Sequence, residues 1–265
     1  MGYTLVWGCF FIASSPNLAA LWKIYGHAHL LVVLVLSAFI WLCSVLLSSA
    51  LLLLPGLNSS VYAMAAVSVL AQEGGRLLYY KWFRKAQAKL KAFLPPVLFT
   101  QDEEVMIAFA SGLGVAIVHS CTYYLTLLSR SAAASGSTFY MPECPNMSLF
   151  ASAAVTSCCF SLLHIALMPL FFSQCKASEE PYHKGMAWAP AAHAVASALT
   201  MLGQAQGGCN VVIVVLPIFS LAVCGYAARD ALSSLAATSR VGGGDFAPVS
   251  VQTPYVDDAV ELQTL

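Results

Sequence analysis

The sequence has very little charge. Only 9% of its 265 residues are charged, against about 25% in an ordinary soluble domain. A soluble fold of this size needs more polar residues to cover its surface, and the mean hydropathy of this chain is +0.77. Lys+Arg and Asp+Glu are balanced at 12 each, so the composition does not indicate a nucleic-acid binder either. It argues against a soluble enzyme and predicts a polytopic membrane protein in contact with lipid.

Several catalytic motifs are absent as well. The sequence contains no C-x-x-C and no G-x-S-x-G, so zinc-ribbon, thioredoxin-like and serine-hydrolase interpretations have no support. An intramembrane aspartyl protease needs paired aspartates within its spans, and Asp230 is the only Asp close to one. Most of the nine cysteines lie inside apolar runs. Cys144 and Cys209 fall in predicted loops, and the sequence leaves open whether they pair.

Seven apolar runs are long enough to cross a bilayer, which needs roughly 20 residues in a helix. The runs are 3–22, 29–54, 61–83, 105–128, 147–173, 186–203 and 210–230. They predict an all-α bundle of seven transmembrane helices over residues 1–233. Residues 234–265 contain three consecutive glycines, two prolines and several acids, which is typical of a flexible tail without its own core.

The distribution of Lys and Arg predicts the orientation. The first four residues carry neither, so the first run is a retained helix rather than a signal peptide. One set of loops, with the tail, holds ten Lys or Arg, and the opposite set holds only Arg130. Positive charge accumulates on the cytosolic side. We therefore expect a luminal or extracellular N-terminus and a cytosolic tail. Two glycosylation sequons, at Asn58 and Asn146, then lie on the luminal side, and their use stays open.

The third run contains charged residues that are costly in lipid. Glu73, Arg76 and Tyr80 fall within a stripe about 60° wide on a helix. Opposite charges three residues apart can pair and so reduce the cost of desolvation. One interpretation is a proton or ion pathway, and the other is a buried pair that fixes one helix against its neighbours. We favour the second, because a relay uses a chain of titratable groups.

The fourth run contains small residues at every fourth position, namely Gly112, Ala116 and Ser120. This spacing lets helix backbones approach closely and predicts a helix–helix contact. Accidental spacing in a helix rich in small residues explains the pattern equally well. His119 projects near Gly112 on the same face.

Two histidines lie alone in later runs, His164 in the fifth and His193 in the sixth. A metal site, a proton-linked switch and an inter-subunit hydrogen bond are the functional options. The plainer interpretation is a pair of core histidines that bond to each other or to backbone. No H-E-x-x-H supplies further metal ligands, so we predict no metal and no cofactor. A membrane metalloenzyme using His119, His164 and His193 is kept as a rival.

Four segments resemble a known family. The N-terminal segment reads Gly8-Cys9-Phe10-Phe11-Ile12-Ala13 with Pro16. The third run reads Val67-Ser68-Val69-Leu70-Ala71-Gln72-Glu73, then Arg76, Tyr79-Tyr80-Lys81 and Lys85-Ala86. The fourth reads Ser111-Gly112-Leu113, and the seventh contains Leu216-Pro217-Ile218. These segments, with His164 and His193, resemble the anterior-pharynx-defective family, the multi-span scaffold subunit of gamma-secretase.

The resemblance implies a seven-helix bundle without catalytic residues of its own. Such subunits join nicastrin first and then hold presenilin and the presenilin enhancer. Gly112, Ala116 and Ser120 would support assembly, and His164 and His193 would support packing and contact with presenilin. Two departures stand out: the family's glycine repeat continues here as Ala116 and Ser120, and Gly74-Gly75 replaces bulky residues.

We therefore expect a non-catalytic scaffold of an intramembrane aspartyl protease complex. Its location would be the endoplasmic reticulum and Golgi, with onward transport to the plasma membrane or other endomembranes. The alternative is a proton- or ion-coupled transporter that uses Glu73, Arg76, His164 and His193.

The orientation can be tested with reporters fused after Leu265. We expect a cytosolic signal, because ten of the loop and tail Lys and Arg lie on the same side as the tail. A fusion before Met1 serves as the matched control and should report from the lumen or cell exterior. A luminal signal from the C-terminal fusion would contradict the predicted topology.

Overall fold

The computed structural model describes residues 2–57, 60–90, 100–133, 140–141, 144–177 and 187–242. Within them the chain forms seven α-helices, one for each apolar run. The helices are α1 (Gly2–Ile24), α2 (Ala28–Leu51), α3 (Val61–Leu90), α4 (Gln101–Ala133), α5 (Leu149–Ala177), α6 (Trp188–Met201) and α7 (Gly208–Gly242). Two short strands, β1 (Tyr140–Met141) and β2 (Cys144–Ser148), pair antiparallel between α4 and α5. The all-α class is confirmed, with a strand pair that the sequence did not predict.

Four helices, α2, α4, α5 and α7, are long and apolar enough to cross a membrane. Within the described ranges, the other three do not meet the same measure of length and hydropathy. Glu73 and Arg76 lower the hydropathy of α3, and α6 has only 14 residues. An integral membrane protein is supported by the four helices, while the count of seven spans and the orientation stay predictions.

α3 and α7 continue furthest beyond the C-terminal ends of their predicted runs. α3 extends past residue 83 to Leu90, through a segment of Arg, Lys, Ala, Gln and Leu. These residues favour helix, but hydropathy marks only the portion that suits a membrane. α7 extends to Gly242 and so includes the start of the segment 234–265 that was predicted to be a flexible tail. The tail from residue 243 onward lies outside the described residues.

Cys209, in the first turn of α7, is buried and disulfide-bonded. The side chain of Cys144, with which the sequence left a pairing open, lies outside the described residues. The same holds for Asn58 and for the side chain of Asn146. Cys209 is thus paired, while the identity of its partner and the glycosylation of the two asparagines stay as the sequence left them.

Helix α5 lies at the centre of the bundle, in contact with α1, α4, α6 and α7. In its membrane-length segment 67% of the residues are buried within the chain, against 22% in that of α7 and 28% in that of α2. Leu163, Leu167 and Phe171 recur every four residues on one face of α5 and are almost fully buried. They belong to an apolar cluster that joins α3, α6 and α7 to α5.

Glycines allow α4 to lie close to α5 and α2. A Cβ atom added at Gly112 would lie 2.7 Å from the carbonyl oxygen of His164 and 2.9 Å from that of Ile165. Ile165 lies four residues before Pro169, which is inside α5. A Cβ atom at Gly114 would overlap the backbone of α2, whereas one at Gly74 of α3 would meet nothing within 4 Å. The backbones of α4 and α5 therefore touch at Gly112.

The contact at Gly112 can be tested by comparing Gly112→Ala with Gly74→Ala. We expect Gly112→Ala to destabilise the protein by about 1–3 kcal/mol, because the new methyl group meets backbone that cannot rotate away. Gly74→Ala should leave stability unchanged or raise it slightly, since its methyl group enters open space. The measurement is the temperature at which purified protein in detergent loses its monodisperse peak. Equal temperatures for the two variants would disprove the contact.

Candidate functional site

A buried ion pair lies on α3. Arg76 Nη1 donates to both carboxylate oxygens of Glu73, at 2.7 Å each. His193, from α6, lies with Nδ1 at 2.6 Å from Oε1 of the same carboxylate. All three side chains are buried. A charge is very costly in an apolar interior unless it is paired and hydrogen-bonded, and here one carboxylate is held by two helices.

Three histidine rings gather beside this pair. The ring centroids of His164 and His193 are 5.1 Å apart, and those of His119 and His164 are 5.0 Å apart. Arg76 Nη2 lies 3.4 Å from Nδ1 of His164. Because a guanidinium can only donate, Nδ1 of His164 accepts this long hydrogen bond. The cluster of Glu73, Arg76, His119, His164 and His193 therefore joins α3, α4, α5 and α6, and we call it the polar cluster.

The sequence predicts part of this arrangement. It places Glu73 beside Arg76 and allows His164 and His193 to meet, but it does not connect the two pairs. Trp41 was missed, although its ring lies 5.7 Å from that of His119. A tryptophan inside an apolar run gives no signal in the sequence that would distinguish it from ordinary core.

Tyr80 lies apart from the polar cluster. Its ring packs against Phe171 and Phe172 of α5, with centroid distances of 5.6 and 5.0 Å. The neighbouring Tyr79 bonds instead to Ser111 of α4, with 2.6 Å between the hydroxyl oxygens. Tyr80 therefore shares a stripe of α3 with Glu73 and Arg76 but contacts a different part of the bundle.

The small residues of α4 make their contacts within this chain. Ala116 and Ser120 are buried like Gly112. The Ser120 hydroxyl lies 2.7 Å from that of Ser161 on α5. Asn17 of α1 donates its amide to both hydroxyls, at 3.1 and 3.2 Å. The stripe thus joins three helices of one subunit, and Asn17 and Ser161 complete it.

A cavity of about 310 Å³ adjoins the polar cluster between α3, α4, α5 and α6. Its lining includes Val61, at the start of α3, and Gln204, in the 3-10 helix that follows α6. Both lie on the side predicted to be luminal. The inner lining includes Gln72, His119 and His193. The volume is large enough for several water molecules, each of which occupies about 30 Å³ in the liquid.

The arrangement favours structural use of the polar groups over metal binding. Within the described side chains, no group of three or more His, Cys, Asp or Glu is placed to hold a metal ion. His193 is hydrogen-bonded to Glu73, and His164 to Arg76. The described part of the chain therefore contains no ligand set for a membrane metalloenzyme. The polar cluster can lock four helices together, and water in the cavity could reach it.

Four helices long and apolar enough to cross a membrane, together with a buried ion pair on α3, are typical of a polytopic integral membrane protein. A family model described as Aph-1 protein matches residues 4–233. The chain is 31% identical over 224 residues to the gamma-secretase subunit APH1-like of Arabidopsis thaliana, covering 79% of this chain and 83% of that protein. It is 30% identical over 187 residues to the gamma-secretase subunit APH-1B of Mus musculus, covering 66% and 71%. The chain belongs to the Aph-1 family.

The ion pair can be tested by removing its members singly and together. We expect Glu73→Leu and Arg76→Met each to cost about 3–5 kcal/mol, because each leaves a buried charge without its partner. The double variant should cost clearly less than the sum of the two. Thermal stability in detergent gives the measurement, and Lys89→Met, on the exposed end of the same helix, is the control.

Additive losses in the double variant would contradict this prediction. They would mean that Glu73 and Arg76 act independently despite their 2.7 Å contacts.

Proposed function

We propose that this chain is a non-catalytic subunit of a gamma-secretase complex. It would stabilise presenilin and nicastrin, together with the presenilin enhancer, and so support the processing of membrane proteins. The observation that carries the proposal is the Aph-1 family match, which extends from α1 into α7. Relatives from a plant and a mouse are both named gamma-secretase subunits. The endoplasmic reticulum and Golgi, and onward membranes, are its expected location.

The use of the buried carboxylate supports a non-catalytic role. Glu73 is the buried acidic residue among the described side chains, and Arg76 and His193 occupy its oxygens. An aspartyl protease needs two neighbouring carboxyl groups that share one proton. Glu73 instead holds α6 against α3, which is what a scaffold requires.

The outer helices offer surface to other subunits. Most of the membrane-length segments of α2 and α7 are not buried within this chain. Large apolar side chains such as Phe39, Leu46, Ile218 and Leu221 point outward from them. In a membrane these faces pack against lipid or against partner helices. By this proposal some of them contact presenilin and nicastrin.

The residues expected to support assembly would act indirectly. Gly112, Ala116 and Ser120 fix α4 to α5 and α1, and His164 and His193 fix α5 and α6 to α3. These contacts set the relative positions of the outer helices. Partner binding then depends on them without their touching a partner.

The proposal can be tested by affinity purification of the tagged full chain in a mild detergent. We expect presenilin and nicastrin in near-equal amounts with it. The double variant His164→Ala/His193→Ala should give less complex, since it removes two bonds that join helices, whereas His27→Ala/His183→Ala, outside the predicted runs, should give the normal amount. A chain that copurifies with no subunit, while other membrane complexes stay intact, would overturn the proposal.

The cavity beside the polar cluster favours one second candidate, a proton- or ion-coupled transporter. Glu73, Arg76, His164 and His193 would then line the path. Proton or ion flux into liposomes that hold the purified chain, lost in Glu73→Gln, would support this candidate. Equal flux with and without the protein would remove it.

A further inference from the structure

Helix α3 is longer than a membrane requires. Its 30 residues span about 45 Å at 1.5 Å per residue, and a hydrocarbon core of about 30 Å takes up roughly 20 of them. If α3 crosses the membrane as the sequence predicts and enters the core near Val61, it leaves near Tyr80. The last ten residues, Lys81–Leu90, then pass through the headgroup layer and beyond it. We call them the α3 extension.

One face of α3 changes from apolar to basic along its length. Leu70, Gly74 and Leu78 are exposed on the membrane portion of the helix. In the α3 extension Lys81, Lys85 and Lys89 are exposed as well. These six positions fall within about 100° of the helix circumference. A lipid whose acyl chain lies along the two leucines would therefore have its headgroup beside the lysines.

This face points away from the bundle. The opposite side of α3 carries the buried residues Arg76, Tyr79 and Gln87. Arg84, the fourth basic residue of the α3 extension, lies to the side with Nη1 3.5 Å from Glu104 at the start of α4. Arg84 thus contacts the acidic start of α4.

The sequence around the α3 extension adds to its positive field. No acidic residue occurs between Arg76 and Gln101. Trp82, whose side chain is 56% exposed, stands at the boundary between the apolar and basic portions. Tryptophan is enriched at this level of a membrane, where one side of the ring is apolar and the other wet.

We propose that this face of α3 binds anionic phospholipid of the cytosolic leaflet. The acyl chain packs along Leu70 and Leu78, over the open surface at Gly74. Lys81 and Lys85 meet the headgroup phosphate, and Lys89 adds to the attraction from further out. Clustered lysines directly after a transmembrane helix attract anionic lipid, and long lysine stems reach along the apolar boundary to the headgroups. The exposed apolar surface of α3 continues directly into the lysines. This continuity favours a lipid over an acidic protein as the ligand.

The test is native mass spectrometry of the tagged full chain, with the subunits that copurify. The detergent contains equal amounts of phosphatidylserine and phosphatidylcholine. Lys85→Gln/Lys89→Gln removes two charges from the face and keeps Lys81 at the membrane boundary. Lys23→Gln/Arg229→Gln is the matched control, because it removes two exposed charges from other helices on the side predicted to be cytosolic. Lys85→Arg/Lys89→Arg keeps the charge.

We expect the glutamine variant to retain about tenfold less phosphatidylserine than wild type, since each lysine near the surface contributes separately to the attraction. Phosphatidylcholine should not change, and the control and arginine variants should bind phosphatidylserine normally. Unchanged phosphatidylserine in the glutamine variant would overturn the proposal. An equal loss in the control would also overturn it, because general surface charge would then explain binding. Loss of an acidic protein instead of lipid would assign the face to a protein partner.

Discussion

The structure depends on one buried carboxylate. Glu73 could not stay ionised in the interior of a membrane protein without partners, and two are present, Arg76 on its own helix and His193 on α6. The guanidinium also reaches His164 of α5. A charged Glu73 must be paired with Arg76 and His193. This requirement constrains the rotation of α3 and the position of α6. Glu73 and its partner Arg76 thus join three helices.

The remaining contacts between helices reflect the fact that the hydrophobic effect does not favour helix association in lipid. Lipid tails are as apolar as leucine, so helices associate through close packing and interhelical hydrogen bonds. Gly112 supplies close packing between α4 and α5. Asn17, Ser120 and Ser161 supply hydrogen bonds among α1, α4 and α5. The chain uses small and polar residues at the positions where a soluble protein would use large apolar ones.

The sequence predicted the elements of the fold better than their partners. Charge scarcity and apolar runs located each of the seven α-helices that the structure describes, because these signals are local. The pairing of Glu73 with Arg76 is also local, since the two residues are one helical turn apart. The bond from His193 to Glu73 joins residues 120 positions apart, and it depends on the rotation of two helices that no local pattern records. The spacing of Gly112 likewise indicated a contact without showing that α5 makes it.

Pro169 and Gly112 illustrate how one helix can compensate for a defect in another. A proline has no N–H to donate, so the carbonyl of Ile165, four residues earlier, loses its usual helical partner. The same oxygen faces the missing side chain of Gly112, within reach of the glycine Cα hydrogens. Such hydrogens form weak bonds to carbonyl oxygens at helix–helix interfaces. We therefore expect the two residues to be energetically coupled, so that the effect of a substitution at either one depends on which residue occupies the other.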